Sequence, residues 1–162
     1  MIGKSRNNAD LTHNLPQHMS QKILSFLFAQ KSWTNLELFV AVADVTQSEH
    51  ATSRHRAIRT LNHIYVIDRI FRAHLLREQH TCAATNTLET PELGELHFAV
   101  AEPDLWFEGY VGRVNSGALA ESLQFQFTDG DLGAMTREEM LCHVLTHGAY
   151  RRVGRYEQLA SF

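Results

Sequence analysis

The residues with the clearest capacity for chemistry lie near the end of the chain, in Leu141-Cys142-His143-Val144-Leu145-Thr146-His147-Gly148-Ala149-Tyr150-Arg151-Arg152. His143 and His147 are four positions apart, so on an α-helix they lie one above the other on one face, close enough to share a metal ion or a water. A bare HxxxH lacks the Glu that makes HExxH informative, so a partner from elsewhere in the chain is needed. His63 is that partner. Between about Ala57 and Leu76, one helical stripe is formed by Leu61, Ile64, Asp68, Phe71 and Leu75, and its neighbour by His63, Ile67, Ile70 and His74. An imidazole that shares a face with isoleucines needs a hydrogen bond or a metal to offset its lost hydration. Neutral imidazoles converging from two helices suit Zn, Ni, Cu or Fe and leave a position open for water or substrate. The competing reading makes each of them a hydrogen-bonded core or boundary histidine.

The elements that must position these side chains are mainly helical. After Pro16, apolar residues recur at Ile23, Leu24, Leu27, Phe28, Trp33, Leu36, Phe39 and Val40, at offsets that predict a first amphipathic helix. A polar loop from Asp44 to His55 separates it from the second. Thr90-Pro91 reads as N-cap and first turn of a third helix carrying Leu93, Leu96, Val100, Leu105, Trp106, Phe107, Tyr110 and Val111, with a kink or break expected at Pro103. That helix is expected to end within Ser116 to Leu119. Leu123-Gln124-Phe125-Gln126-Phe127 alternates as a half-exposed strand does, and Thr128-Asp129-Gly130-Asp131 turns the chain back through Leu132 to Met135. Thr136-Arg137-Glu138-Glu139 has the form of a capping box and opens the fourth helix. The expected fold is all-α: an antiparallel four-helix bundle with a small β-hairpin between helices three and four. One domain over residues 1–162 is expected, with 1–15 a loosely held lead-in.

Composition narrows the partners. Fifteen Lys and Arg against eighteen Asp and Glu leave a formal charge of -3, which offers no general attraction for nucleic acid. No stretch is long and apolar enough to span a bilayer, and the first residues lack the apolar centre of a secretory signal. Cys82 and Cys142 stand far apart with no CxxC spacing, which fits a reducing cytoplasm better than a disulfide framework.

Several of these segments together resemble the DinB/YfiT-like metal-binding superfamily, which is distinct from the DNA polymerase that shares the name. Gln30-Lys31-Ser32-Trp33-Thr34-Asn35 resembles its Lys-x-Trp-x-Asn segment. Thr60 to Ile70 resembles its Leu-Asn-His-x-x-x-x-Asp segment, while Phe127 to Gly130 and Met135 to Tyr150 resemble its hairpin and last helix. The resemblance implies a four-helix bundle, often dimeric, with a divalent metal held by one histidine from helix two and two from helix four. Relatives usually continue into His-Arg-Gly-Gln or His-Arg-Gly-Asn where this chain reads Arg151-Arg152-Val153-Gly154. Arg presents no lone pair, so Arg151 cannot replace that ligand. Either His143 completes the set with His63 and His147, or the site keeps two imidazoles. The expected cofactor is Zn, Ni or Fe, and the expected partners are a second copy of the chain and a small-molecule substrate.

Such a metal would act as a Lewis acid for hydrolysis or for thiol transfer, since some relatives are thiol-dependent S-transferases. The alternative is a non-catalytic structural or stress-related bundle whose site has decayed through Arg151, and a haem-binding bundle with paired histidines is a third. Other residues read as structural. Cys142 is expected to be a buried thiol, and Trp33 and Trp106 to be core residues. Asp68 is expected to pair with Arg69 or Arg72, or to orient a ligand imidazole. His13, His18, His50, His55, His74, His80 and His97 read as surface or boundary positions.

Overall fold

Helix α1 (Ala9–Asp44) buries Leu24, Phe28, Lys31, Asn35, Leu38 and Val42, a spacing of three and four that sets them on one face. Two members of that face are polar, and the opposite face is left with Ile23, Phe26, Trp33, Leu36 and Val40. Trp33, expected in the core, is 57% exposed. Apolar residues cover both faces of this helix, and Lys31 and Asn35 hold core positions because partners await them there. The computed structural model describes residues 9–159, and side-chain surroundings from Ser20 to Ala149. The helix already includes Ala9, inside the stretch expected to be a lead-in.

A turn of 3-10 helix, Ser48–His50, joins it to α2 (Ala51–Leu76), which starts earlier than the polar composition of Asp44 to His55 suggests. Both predicted stripes of α2 point inward, and among them only His63 is part-exposed. Arg77 closes the helix in the left-handed region at φ 60°, its N–H bonding back to the carbonyls of Ala73 and His74. Helix α3 (Leu93–Arg113) begins two residues later than Thr90-Pro91 would place it, with Glu92 as its extended N-cap. It runs unbroken through Pro103, whose ring is fully buried. A separate short helix α4 (Ser116–Leu119) follows, capped by Asn115, whose side chain accepts from the Ala118 N–H at 2.7 Å.

Strands β1 (Ser122–Gln126) and β2 (Leu132–Thr136) pair antiparallel with Phe125 opposite Gly133. The turn between them places Gly130 at φ 97°, where a side chain would be strained. Helix α5 (Arg137–Leu159) follows directly. Its capping box is formed: Glu139 accepts from the Thr136 N–H at 2.7 Å, and the Glu139 N–H donates to Thr136 Oγ1 at 3.1 Å. The described residues are mostly helical, with this one small sheet.

Two apolar clusters show how the helices run. One joins Leu38 and Val42 of α1, Ala57, Ile58 and Leu61 of α2, and Leu93, Leu96 and Val100 of α3. The other joins Leu24 and Phe28 with Ile70, Phe71 and Leu75, Phe107 and Val111, the hairpin residues Leu123 and Phe125, and Met140, Leu141 and Val144 of α5. The start of α3 therefore lies with the start of α2, and the two run in the same direction, a departure from a simple up-and-down order. α1 opposes α3, and α5 opposes α2. Residues 77–92 must accordingly travel back along α2. Arg137 ties the hairpin end together, donating to Glu121 at 2.8 Å, the Leu75 carbonyl at 2.6 Å and the Tyr110 hydroxyl at 2.8 Å.

Between α1, α2 and α3 lies a buried polar cluster. Lys31 Nζ donates to Asp68 at 2.6 Å and to Asp104 at 2.5 Å, and Asn35 donates to Asp104 at 2.7 Å. Asp68, expected to pair with Arg69 or Arg72, pairs with Lys31. Arg69 lies over the Tyr65 ring and Arg72 pairs with Glu102. The Lys and Asn of the Lys-x-Trp-x-Asn segment are thus the residues that cross-link three helices.

Candidate metal centre

His63 and His147 meet across α2 and α5. Their Nε2 atoms stand 3.2 Å apart, with ring centroids at 5.0 Å. His63 Nδ1 lies 2.5 Å from the Thr85 carbonyl oxygen, so that nitrogen carries the proton and the Nε2 lone pair faces His147. A carbonyl bound to the far nitrogen is how a ligand imidazole is commonly held in one tautomer and orientation. The loop that supplies Thr85 is strapped to α2. Asn62 donates to Asn86 and, at 2.6 Å, to Thr87 Oγ1, while Arg59 donates to the Thr87 carbonyl at 2.6 Å. Asn62, beside His63 in the Leu-Asn-His segment, thereby positions the carbonyl that orients its neighbour.

Two nitrogens each at about 2.0–2.1 Å from a tetrahedral ion stand roughly 3.3 Å apart, so the observed pair fits one edge of such a shell. A direct hydrogen bond between the imidazoles fits the same distance, with His147 then donating. His143 is placed differently. Its ring stacks on Phe71 at 4.6 Å and 21°, and parallel to His147 at 5.6 Å and 16°. Partial burial there pushes its pKa down. Among the described residues, no three His, Cys, Asp or Glu side chains gather closely enough to hold a metal together. For His143 to join His63 and His147, its ring must leave Phe71. The side chain of Arg151 lies outside the described residues.

A cavity of about 470 Å³ opens beside His63, lined by His55, Arg56, Arg59, Thr60 and Asn86. Its side chains are basic or neutral, which favours an anionic or polar small molecule. Cys142, expected to be buried, is exposed. Partial desolvation, then Glu138 and Glu139, raise its pKa, so at neutral pH it is a protonated thiol and a poor nucleophile.

His74 is the residue that sequence reasoning missed. It is buried at 6% exposure beneath Phe71 and Phe125, with His80 edge-on to it at 5.3 Å between centroids. Its place in the stripe of Ile67 and Ile70 was the available signal. Burial, then the charge of His80, pushes its pKa down to about 4. Its folded-state value is thus below the unfolded one, so the unfolded chain binds the extra proton first. Stability should fall as pH drops from about 6.5 towards about 4 through this group. Urea midpoints across that range check it: His74→Leu, which does not titrate, should show a shallower acid slope, and an identical slope would be evidence against this assignment.

Residues 19–153 match the DinB family. No curated protein and no solved structure matches the chain. The family match covers well over half of the sequence and spans every element that builds the His63–His147 contact, so the chain belongs to the DinB family.

Proposed function

We propose that this protein binds a divalent transition metal, Zn, Ni or Fe, through His63 and His147, and works as a metal-dependent hydrolase or thiol-dependent S-transferase. The observation that carries the reading is the 3.2 Å approach of the two Nε2 atoms with His63 Nδ1 tied to the Thr85 carbonyl. His143, one turn from His147 on α5, is the third ligand of this reading. A bound ion would supply Lewis-acid chemistry, lowering the pKa of a coordinated water or thiol. The chain's own part is to hold the imidazoles in the neutral tautomer and to receive an anionic small molecule in the cavity beside Arg56 and Arg59. The four long helices, as two opposed pairs, are read as one four-helix bundle with the metal site between α2 and α5.

Metal analysis of purified, reconstituted protein tests this. We expect close to one equivalent at this site and its loss in His147→Ala. Unchanged metal content in that variant means the ligands are wrong. The second reading, a non-catalytic bundle with a degenerate site, is favoured by the stacking of His143 on Phe71. It predicts no stoichiometric metal at His63 and His147 at all.

We read the protein as a cytoplasmic homodimer. Cys82 and Cys142 are both free thiols, which suits a reducing compartment, and no helix of the described residues is long and apolar enough to cross a membrane. The exposed stripe Ile23, Phe26, Trp33, Leu36 and Val40 on α1 runs for roughly 25 Å along the helix at about 1.5 Å per residue. A stripe of that length pairs with itself across a twofold axis, and opposed helices bring Lys22 of one copy towards Glu37 of the other. Sedimentation should give a dimer for the native chain and a monomer for Trp33→Glu. A native monomer sinks the assignment.

A further inference from the structure

A cavity of about 630 Å³ lies at the other end of α2, between its last turn and β1, and is lined by His74, Arg77, Glu78, His80, Gln124 and Phe125 among others. Two imidazole nitrogens there, His74 Nε2 and His80 Nδ1, are buried and have no hydrogen-bond partner in the protein. Buried polar atoms are almost always satisfied, so a pair of orphans on adjacent rings beside a cavity calls for a shared occupant. The ring spacing indicates its size. Two imidazoles bound to one tetrahedral ion through nitrogens at about 2.0–2.1 Å have centroids roughly 5 Å apart, and His74 and His80 stand at 5.3 Å.

We propose that His74 and His80 form a second transition-metal site, independent of His63 and His147, in which two neutral imidazoles bind one divalent ion of the Zn, Ni, Cu class. The protein supplies these two nitrogens, and water from the adjoining cavity fills the remaining positions. Residues 77–92 bring His80 back over α2, so the site is made by the fold and not by adjacency in sequence. Its ligands come from a helix end and a loop, while those of the first site come from two helix interiors. A single bridging water would satisfy the same two nitrogens and bind no metal.

The test uses Co²⁺ as the probe, followed by visible absorbance and calorimetry, on metal-free protein carrying His147→Ala, so that the state of the first site does not enter. That protein should bind one equivalent, with the His74 and His80 imidazole NMR signals shifted or broadened. Adding His80→Ala, a loop substitution away from the core, should weaken binding at least tenfold, and His97→Ala in the same background should not. No binding by the His147→Ala protein, or binding that persists after His80→Ala, overturns the proposal. Should His80→Ala disturb the fold, the imidazole signals of the His147→Ala protein decide alone: signals of other histidines moving, with those of His74 and His80 still, overturns it as well.

Discussion

Lys31→Met should cost the protein about 3–5 kcal/mol of folding stability, because it strands two carboxylates in the core without the cation between them. Lys31 is 3% exposed, Asp68 1% and Asp104 6%, so solvent cannot take over its role. Burial alone would push the Lys31 pKa down, but the charges of Asp68 and Asp104 and their hydrogen bonds outweigh it and the net shift is upward. A cation with a raised folded-state pKa contributes its full stabilisation below the unfolded lysine value and loses it as pH rises through the folded one. The native chain should therefore keep this contribution through neutral pH and lose it only under strongly alkaline conditions. A buried pair is weak evidence of net stability, since apolar replacements of the whole set are often neutral. The triple variant Lys31→Met, Asp68→Leu, Asp104→Leu should accordingly recover much of the loss. Urea denaturation of the single and triple variants measures both. A single-variant loss below about 1 kcal/mol would contradict the cross-linking role.

Phe71→Ala is the second large effect, expected at about 3–5 kcal/mol, as for other buried phenylalanines cut to alanine. Phe71 stacks on His143, meets His74 edge-on at 5.7 Å and lies 6.4 Å from Phe125. It belongs to the apolar cluster that holds α5 against α2. Its removal takes away both core volume and the cover of two imidazoles. His143 owes its lowered pKa to burial, so in the alanine variant that pKa should rise towards the ordinary histidine value, readable by NMR titration. Phe71→Leu keeps much of the volume and should cost less. Equal losses for the two variants would mean that the ring matters for more than space.

Much of this was legible in the sequence where apolar pattern and burial agree. α2 is the clear instance: both of its stripes were readable, and His63 stood out as an imidazole among isoleucines. The capping box of Thr136 and Glu139 was equally readable, since local spacing determines it. α1 misled because its inward face carries Lys31 and Asn35, whose burial depends on Asp68 and Asp104 far along the chain. Apolar periodicity contains no term for such pairing, and so Trp33 was assigned inward. His74 was passed over for a related reason. Its partner His80 lies in a loop, and only the direction taken by residues 77–92 brings them together. The His63–His147 contact was expected from motif order, whereas the part played by Thr85 depends on where the loop passes.

That returning loop also bounds how the chain can vary. The start of α3 shares a cluster with Ile58, while α2 ends at Leu76, so the connection must cover about 27 Å of helix at about 1.5 Å per residue. Even fully extended, at about 3.3–3.6 Å per residue, this takes roughly eight residues. Residues 77–92 exceed that minimum, and the surplus holds Thr85 against His63 and lays His80 against His74. Surface loops usually accept insertions and deletions freely, but here a short deletion would first remove the slack that shapes the two histidine pairs. A deletion leaving fewer than about eight residues would prevent α3 from reaching its own α2.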